Sequence, residues 1–568
     1  MIRKNNQRSF CRNWNVIALS FVATLILKVH TAVAEDITRG TSTGQTTARG
    51  YDHPNQFLSV PAKKIADNME PAISHPDQEK WTRQKLDELA KKFGRKPNIL
   101  IFLMDDVGWM DPGFNGGGVA VGNPTPAMDK LAQEGLVLTS AYSTPSCTPT
   151  RSSIHTGQNP LHHGLLFPPM YGQPGGLDGA VTIANILGKL GYVTQGVGKW
   201  HMGENEASLP QNVGYDDYYG FLSVSDMYTE WRDINFNPEI ALSPSRFEMM
   251  QKIPFNHNNV HCMKGNKQCK STYELNLSTI KNLDQDWAVY SEKFIQKMAE
   301  EKKPWFLYHA TRGCHFDNYP NDHYAGKSPA RTVYSDCMVE MDDILGRLAK
   351  ALEDSGQIEN TLIVLSSDNG PECEVPPHGR SPFRGCKGSS WEGGVRVPTF
   401  AYWKGMIKPR RSDGLFDLED LFNTAASLAG APGAEVAKFL PKQNYYIDGI
   451  DQLSFLLADN GESNRRSRIY TDLLYFSAVR IDEFKYHIVV ELEGNLFNRG
   501  YTGGFSGSYA DSLGGLTMTN LYTNPQEDVS DGVRHAPVGS VLQEEMVRYQ
   551  GVLKKYPPSS KMAIKLPK

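Results

Sequence analysis

The apolar run Ile99-Leu100-Ile101-Phe102-Leu103-Met104 follows Pro97-Asn98 and stops abruptly at Asp105-Asp106-Val107-Gly108. A strand with no polar alternation is one covered on both faces, as in a parallel sheet. Further strands are expected at 192–197, 305–308 and 361–366, and helical periodicity precedes them at 181–190, 287–302 and 333–352. Residues 126–134 form one more expected helix, with Pro126 in its first turn and Gly135 behind it. Helix followed by buried strand, repeated, predicts an α/β fold: a large, mainly parallel sheet with helices on both faces. Residues 418–428 read as the last helix of that domain, and Ala429-Gly430-Ala431-Pro432-Gly433 as a linker.

The flanks differ in pattern. Upstream, residues 81–93 are helical and Gly94 is placed to end them, within an extension expected to wrap the main domain. Downstream, 477–480 and 484–490 read as an antiparallel hairpin turning at Ile481-Asp482-Glu483, and 541–553 as a terminal helix. The glycine-rich stretch 500–515 reads as a loop at the mouth of a site. These segments predict a smaller α+β domain with an antiparallel sheet.

The first 34 residues have the build of a secretion signal: Arg3, Lys4, Arg8 and Arg12, then apolar 16–27, then Ala32-Val33-Ala34 before Glu35. The apolar run is short for a membrane span and Lys28 interrupts it. The expected organisation is a signal at 1–34, an extension at 35–95, a catalytic domain at 96–430 and a smaller domain at 431–568. The mature chain is expected to be periplasmic or secreted and free of the membrane.

With 568 residues, 40% hydrophobic and 21% charged, the chain can build one large core and a second, smaller one. A net charge of -4 argues against nucleic acid as partner, and an anionic ligand would have to be drawn in by a local group of cations. Of 8 cysteines, Cys11 leaves with the signal and Cys147 stands in an unusual motif; 8 - 2 = 6 remain. In an exported chain these six are expected to form disulfides, Cys262 to Cys269 being the plausible local pair. Zinc is disfavoured, since no Cys-x-x-Cys occurs.

Four stretches carry candidate chemistry. Asp105-Asp106 and, far away in sequence, Ser367-Asp368-Asn369-Gly370 each end an expected buried strand. Adjacent acids either simply begin a loop or share a cation, and the C-terminal edge of an α/β sheet is where ligands sit. Asp105, Asp106, Asp368 and Asn369 offer hard oxygens carrying three negative charges, a set that suits Ca²⁺ or Mg²⁺. Gly198-Lys199-Trp200-His201-Met202-Gly203 also follows a strand, so Lys199 and His201 either face the same crevice or lie in solvent. In Cys147-Thr148-Pro149-Thr150-Arg151, a cation four residues from a sulfur and a proline that stiffens the turn suggest a reactive group, although a lone buried cysteine is the commoner case.

Cys147-Thr148-Pro149-Thr150-Arg151 followed by Ser152-Ser153-Ile154-His155-Thr156-Gly157 resembles the Cys-x-Pro-x-Arg signature of type I sulfatases, and Lys199-Trp200-His201 between glycines resembles their second signature. The resemblance runs from about residue 97 to 428. It implies the alkaline-phosphatase-like fold and a Cys147 oxidised by a maturation enzyme to Cα-formylglycine, whose hydrate supplies the nucleophilic oxygen and a further ligand to one Ca²⁺ per chain. It also implies sulfate contacts from Lys199 and from Lys387, in Phe383-Arg384-Gly385-Cys386-Lys387-Gly388. Arg151 adds to that local positive charge. His201 would contact the formylglycine oxygens, and His315 the substrate as proton donor. His309 is the other candidate there, because Cys314 and Asp317 depart from the family's frequent Pro-His-x-Pro; His378 comes next.

The expected function is hydrolysis of a sulfate ester, in a small molecule or a sulfated saccharide. Two alternatives stand beside it: a formylglycine-dependent phosphodiesterase or phosphonate monoester hydrolase, and a non-catalytic binder of sulfated glycans if Cys147 stays unmodified.

Overall fold

Strand β1 (Asn98–Met104) is buried at every residue and lies near the middle of a ten-stranded sheet. The computed structural model describes residues 62–558 except 167–168, 170–173, 224–243, 246–257, 442–444, 473–475, 493–507, 512–516, 529, 531 and 534. The expected signal at 1–34 and much of the loop at 500–515 therefore lie outside the described residues.

The other strands of the sheet are β2 (Leu136–Leu138), β3 (Val193–Lys199), β4 (Asp217–Phe221), β5 (Asn258–Met263), β6 (Lys270–Glu274), β7 (Trp305–Ala310), β8 (Thr361–Ser367), β9 (Thr399–Tyr402) and β10 (Arg410–Ser412). They run in the order β10-β2-β9-β8-β1-β7-β3-β4-β5-β6. The central five, β8 to β4, are parallel, and β9 and β5 flank them in antiparallel pairing. Side chains alternate across β1. Ile99, Ile101 and Leu103 join the core under α4 (Ile183–Lys189) and α7 (Asp420–Leu428). Leu100, Phe102 and Met104 join the core under α2 (Pro126–Gln133), α5 (Leu283–Glu301) and α6 (Val333–Asp354). Each such side chain contributes about 1.5–3 kcal/mol by leaving water, which is why a strand covered on both faces carries no polar alternation.

Register sets the site. Ser367 pairs with Met104, Ala310 with Leu103 and Gly198 with Ala310, so β8, β1, β7 and β3 end almost level. The residues that follow them, Asp368, Asp105, Thr311 and Trp200, gather at one edge. Close approach of β3 and β7 depends on Gly198, which sits at φ +96; a Cβ there would lie 1.7 Å from the Ala310 carbonyl oxygen.

The smaller C-terminal sheet is antiparallel, β11 (Ser467–Thr471), β12 (Phe476–Ile481), β13 (Phe484–His487) and β14 (Met518–Asn520) in that order, with the terminal helix α8 (Ala536–Lys555). The expected hairpin is β12 and β13.

Several boundaries differ from the sequence reading. Helix α1 (Pro76–Phe93) begins at a proline in its first turn, upstream of the periodic stretch, and ends at Gly94 in the left-handed conformation. Strand β3 continues through Lys199 and β7 through Ala310, so His309 is a strand residue. The cysteine motif is the first turn of a helix, α3 (Cys147–Thr156), where proline is tolerated because the first N–H groups have no intrahelical partner. Ser508–Asp511, expected within a loop, pairs as a strand with Val489–Leu492.

The expectation of six disulfide-bonded cysteines is corrected. Cys262–Cys269 and Cys373–Cys386 are bonded, while Cys314 and Cys337 are buried and unpaired, Cys314 Sγ lying 3.4 Å from Met338 Sδ. Both fill the core under α5 and α6 as small apolar groups.

Candidate active site

Helix α3 points its N-terminus at the edge where the parallel strands end. Thr150 Oγ1 accepts a hydrogen bond from the Thr144 N–H at 3.0 Å, which folds the preceding loop onto the first turn and fixes Cys147 as the first helical residue. The helix is buried along its whole length, and Cys147 is 2% exposed. Burial and the nearby Asp368 charge push its thiol well above the ordinary range. Burial thus outweighs the helix terminus and keeps the unmodified sulfur a protonated thiol.

Arg151, one turn on, is fully buried. Its Nε and Nη2 donate to Asp368 Oδ2 at 3.0 and 2.7 Å, and Nη1 donates to the Lys199 carbonyl at 3.0 Å. Nη2 also lies 3.3 Å from Asp105 Oδ1. The guanidinium is therefore a brace that ties α3 to the ends of β8, β1 and β3.

Each acid meets a cation. Lys199 Nζ donates to Asp105 Oδ2 at 2.7 Å, and Lys387 Nζ to Asp106 Oδ2 at 2.8 Å. Burial works to raise Asp105, but Lys199 and Arg151 hold it well below the usual carboxylate range. Asp106 is raised to about 6, burial outweighing Lys387, and Asp368 to about 7, by burial and by the charge of Asp105. Three carboxylates kept this close, with two of them still raised beside three cations, form a group that further positive charge would stabilise.

The donor set fits a hard divalent cation. One ligand atom from each of Asp105, Asp106, Cys147 and His315 falls within 4.8 Å of the others. Asn369 donates through Nδ2 to Asp106 Oδ1 at 2.6 Å, while its buried Oδ1 has no hydrogen-bond partner among the described residues. Turning that amide end for end would set its oxygen against the Asp106 carboxylate, an arrangement that only a cation between the two makes favourable. Asp106 itself holds a left-handed backbone, φ 59, strain of the kind that persists where surrounding bonds over-determine a site.

Histidines divide into two sets. His201, also left-handed at φ 58, is 7% exposed, and neither ring nitrogen has a hydrogen-bond partner among the described residues. Burial and the charge of Lys199 hold it well below its ordinary value, so the ring is neutral. Thr148 Oγ1 donates to its carbonyl at 2.9 Å, which ties this turn to α3. His315 Nε2 lies 3.3 Å from Lys387 Nζ and 3.7 Å from Asp106 Oδ2, and Nδ1 faces the Phe316 carbonyl. Burial and the two lysines lower it as well. His309 belongs elsewhere: it stacks on Phe102 at 5.2 Å, pairs with Ser291 Oγ at 2.9 Å and is pushed by burial to about 3. His378 is half-buried beside the Gly379 carbonyl.

The sequence-predicted residues Asp105, Asp106, Cys147, Arg151, Lys199, His201, His315, Asp368, Asn369 and Lys387 thus meet at one edge of the sheet. Two neighbours were not singled out. Glu372 is buried, and its charge acts on both Asp106 and Lys387. Tyr308, fully buried on β7, faces Arg151. Only its place in an apolar strand was readable in advance.

A model described as "Sulfatase" matches residues 97–431, and one for the AslA sulfatase C-terminal domain matches 477–554. Arylsulfatase A of Homo sapiens is 31% identical over 412 residues, covering 70% of this chain and 76% of that protein. N-acetylgalactosamine-6-sulfatase of Mus musculus is 30% identical over 418 residues, with 70% and 73% covered. The crystal structure of PsFucS1 sulfatase from Pseudoalteromonas sp. superimposes with a TM-score of 0.83 at 40% identity, covering 88% of this chain and 99% of that one. A match across more than half of the chain, on a fold that brings these charged residues to one sheet edge, places it in the sulfatase family, of the alkaline-phosphatase-like superfamily, as a sulfuric ester hydrolase.

Proposed function

We propose that the chain is an exported sulfatase that works through formylglycine at position 147 and one bound Ca²⁺. The observation that carries this reading is the meeting of a buried, unactivated Cys147 with three carboxylates, Asn369 and three cations. Asp105, Asp106, Asp368 and Asn369, with the oxidised side chain of residue 147, would hold the metal. When present, calcium supplies charge that polarises the sulfate, and the aldehyde hydrate supplies the attacking oxygen.

The chain's own side chains then have distinct tasks. Arg151, Lys199 and Lys387 formally balance Asp105, Asp106 and Asp368, so a divalent cation leaves the site positive and able to take an anion that the overall charge of -4 would repel. Lys199 and Lys387 turn their ammonium groups to the sulfate oxygens, and Arg151 keeps Asp368 in place. Neutral His201, with both nitrogens unpartnered among the described residues, accepts a proton at position 147. His315 gives one to the leaving oxygen through Nε2; negative charge on the sulfate between the two lysines offsets the field that otherwise keeps this ring neutral. Because Cys147 is 2% exposed, the maturation enzyme has to reach it before the domain closes. Export to the periplasm or beyond rests on residues 1–34 and accords with the two disulfides. Among the described residues no helix is long and apolar enough to cross a membrane. The division near residue 430 accords with the family match ending at 431.

Substrate class is a sulfated small molecule or saccharide; the mouse relative carries a sulfated amino sugar in its name. Nitrophenyl sulfate is expected to be turned over with a kcat/KM far above that for a nitrophenyl phosphodiester, and the reverse order would transfer the reading to phosphodiester chemistry.

The proton donor has its own signature. A nitrophenolate leaves unaided, whereas a sugar alkoxide needs protonation in the transition state. His315→Ala is therefore expected to cost little on nitrophenyl sulfate and on the order of a hundredfold on an alkyl or sugar sulfate. His309→Ala should show no such dependence on the leaving group. Equal losses on both substrates in His315→Ala would make that residue a sulfate contact, with His201 and His378 the next donors to test.

A further inference from the structure

Lys387 sits on a loop gripped from behind by β13 of the C-terminal sheet and by Glu527, in the loop that follows β14. Glu527 Oε2 accepts from the Glu392 N–H at 2.8 Å, and the Glu527 carbonyl accepts from Arg384 Nη1 at 3.2 Å. Lys485, on β13, donates through Nζ to the Ser390 carbonyl at 2.8 Å and lies 3.2 Å from Glu392 Oε1 and 3.0 Å from Glu527 Oε1. His487 Nε2 is 2.8 Å from the same Glu527 oxygen. The side chains of Lys485, Glu392, His487 and Glu527 are all 0% exposed.

Burying an ammonium with two carboxylates is costly unless each charge is paired, and a pair broken on one side strands the other. Here the pairing closes across two elements. Burial would raise Glu392, yet Lys485, Arg396 and Arg480 bring it down to about 2. On its other side the loop is tied to two segments of the site: Gly388 N donates to the Pro145 carbonyl, two residues before Cys147, at 2.6 Å, and Lys387 N to the Pro371 carbonyl, in the segment after β8, at 3.0 Å. Backbone from Lys387 to Glu392 is thereby held at one end beside Cys147 and at the other by the C-terminal sheet. Only two residues, Gly388 and Ser389, separate Lys387 from Ser390, too short a span to absorb a shift at one end without moving the other.

We propose that Glu527 and Lys485 are positioning residues for Lys387, so that the C-terminal sheet sets the affinity of the active site for sulfate without contacting sulfate itself. This rests on Lys387 being a sulfate ligand, as proposed above. It gives the second domain a task in the reaction, and that task is separable from general stability.

The test is inhibition by inorganic sulfate in the mature, calcium-loaded enzyme, measured for Glu527→Gln alone, Lys387→Ala alone and the two together. Glu527→Gln keeps volume and removes one charge. It is expected to weaken sulfate inhibition about tenfold alone and to add nothing once Lys387 is gone, since coupled residues lose the same interaction only once. Lys485→Arg, which keeps the charge but changes its geometry, should weaken sulfate in the same direction and serves if the first variant does not fold. Calcium content and the aldehyde at position 147 should match wild type in each. An equal loss in the presence and absence of Lys387 would overturn the proposal, as would wild-type sulfate affinity in a folded variant. If Lys387→Ala alone leaves sulfate inhibition intact, the sulfate-ligand reading of Lys387 falls, and the positioning role falls with it.

Discussion

Cys147→Ser, made in a host that matures cysteine-type sulfatases, is expected to lose activity by on the order of a thousandfold or more, the scale seen when a catalytic unit loses its nucleophile. Serine nearly matches cysteine in volume, and the site is built to accept a small buried side chain at the start of α3. Folding and calcium binding should therefore survive while turnover does not. The reason is chemical: the hydroxyl is no substrate for the oxidation, and an unassisted buried hydroxyl is a poor nucleophile. Full activity in this variant would remove formylglycine from the account.

The second large effect concerns the proposed metal ligands, which the geometry separates into two kinds. Asp106 faces Lys387 and Asn369, whereas Asp368 also neutralises the buried Arg151. Asp106→Asn should abolish calcium binding, measured by elemental analysis, and reduce activity by at least a hundredfold, on the scale of removing one strong electrostatic contact; it also takes the paired carboxylate from buried Lys387, which keeps the charge of Glu372 nearby, so the melting temperature should fall as well. Asp368→Ala should lose calcium and activity too, but it strands a guanidinium away from water and should cost about 3–5 kcal/mol of stability besides. Undiminished calcium in both variants would refute the assignment of the ligands.

Much of this was legible in the sequence because buried parallel strands write themselves as apolar runs that end where the chemistry begins. Asp105 and Asp106 stand out after Met104, and Asp368 and Asn369 after Ser367, since nothing about packing asks for acids there. Bringing them together takes only level register, which neighbouring parallel strands supply. The strand bearing Lys199 was harder: Gly196 and Gly198 dilute its apolar pattern, so its end was set two residues early. His309 could be read as a packed strand-end histidine or as a substrate contact, and the choice between them is settled only once its partners, Phe102 and Ser291, are in place. The sheet's outer strands were missed for a related reason. Lys270–Glu274 is mostly exposed, and edge strands carry little apolar signal.

Roles were less legible than positions. In sequence Arg151 is one more cation available to an anion, yet in the fold its nitrogens are committed to Asp368 and the Lys199 carbonyl. The left-handed backbones of Asp106 and His201 were not read in the sequence: Asp and His are enriched at positive φ, yet most residues of either type do not adopt it, so the type alone does not mark the position. The even count of cysteines suggested three bridges, but Cys314 and Cys337 were drawn into the core as apolar groups.

The central claim is that residue 147 does its work as an aldehyde. Trypsin releases it within the peptide Leu131–Arg151, bounded by Lys130 and Arg151 with no other basic residue between. Mass spectrometry of that peptide from active, exported enzyme should find it about 18 Da lighter than the unmodified thiol form, the difference between a cysteine side chain and an aldehyde. The unmodified mass alone, in a preparation with full sulfatase activity, would contradict it.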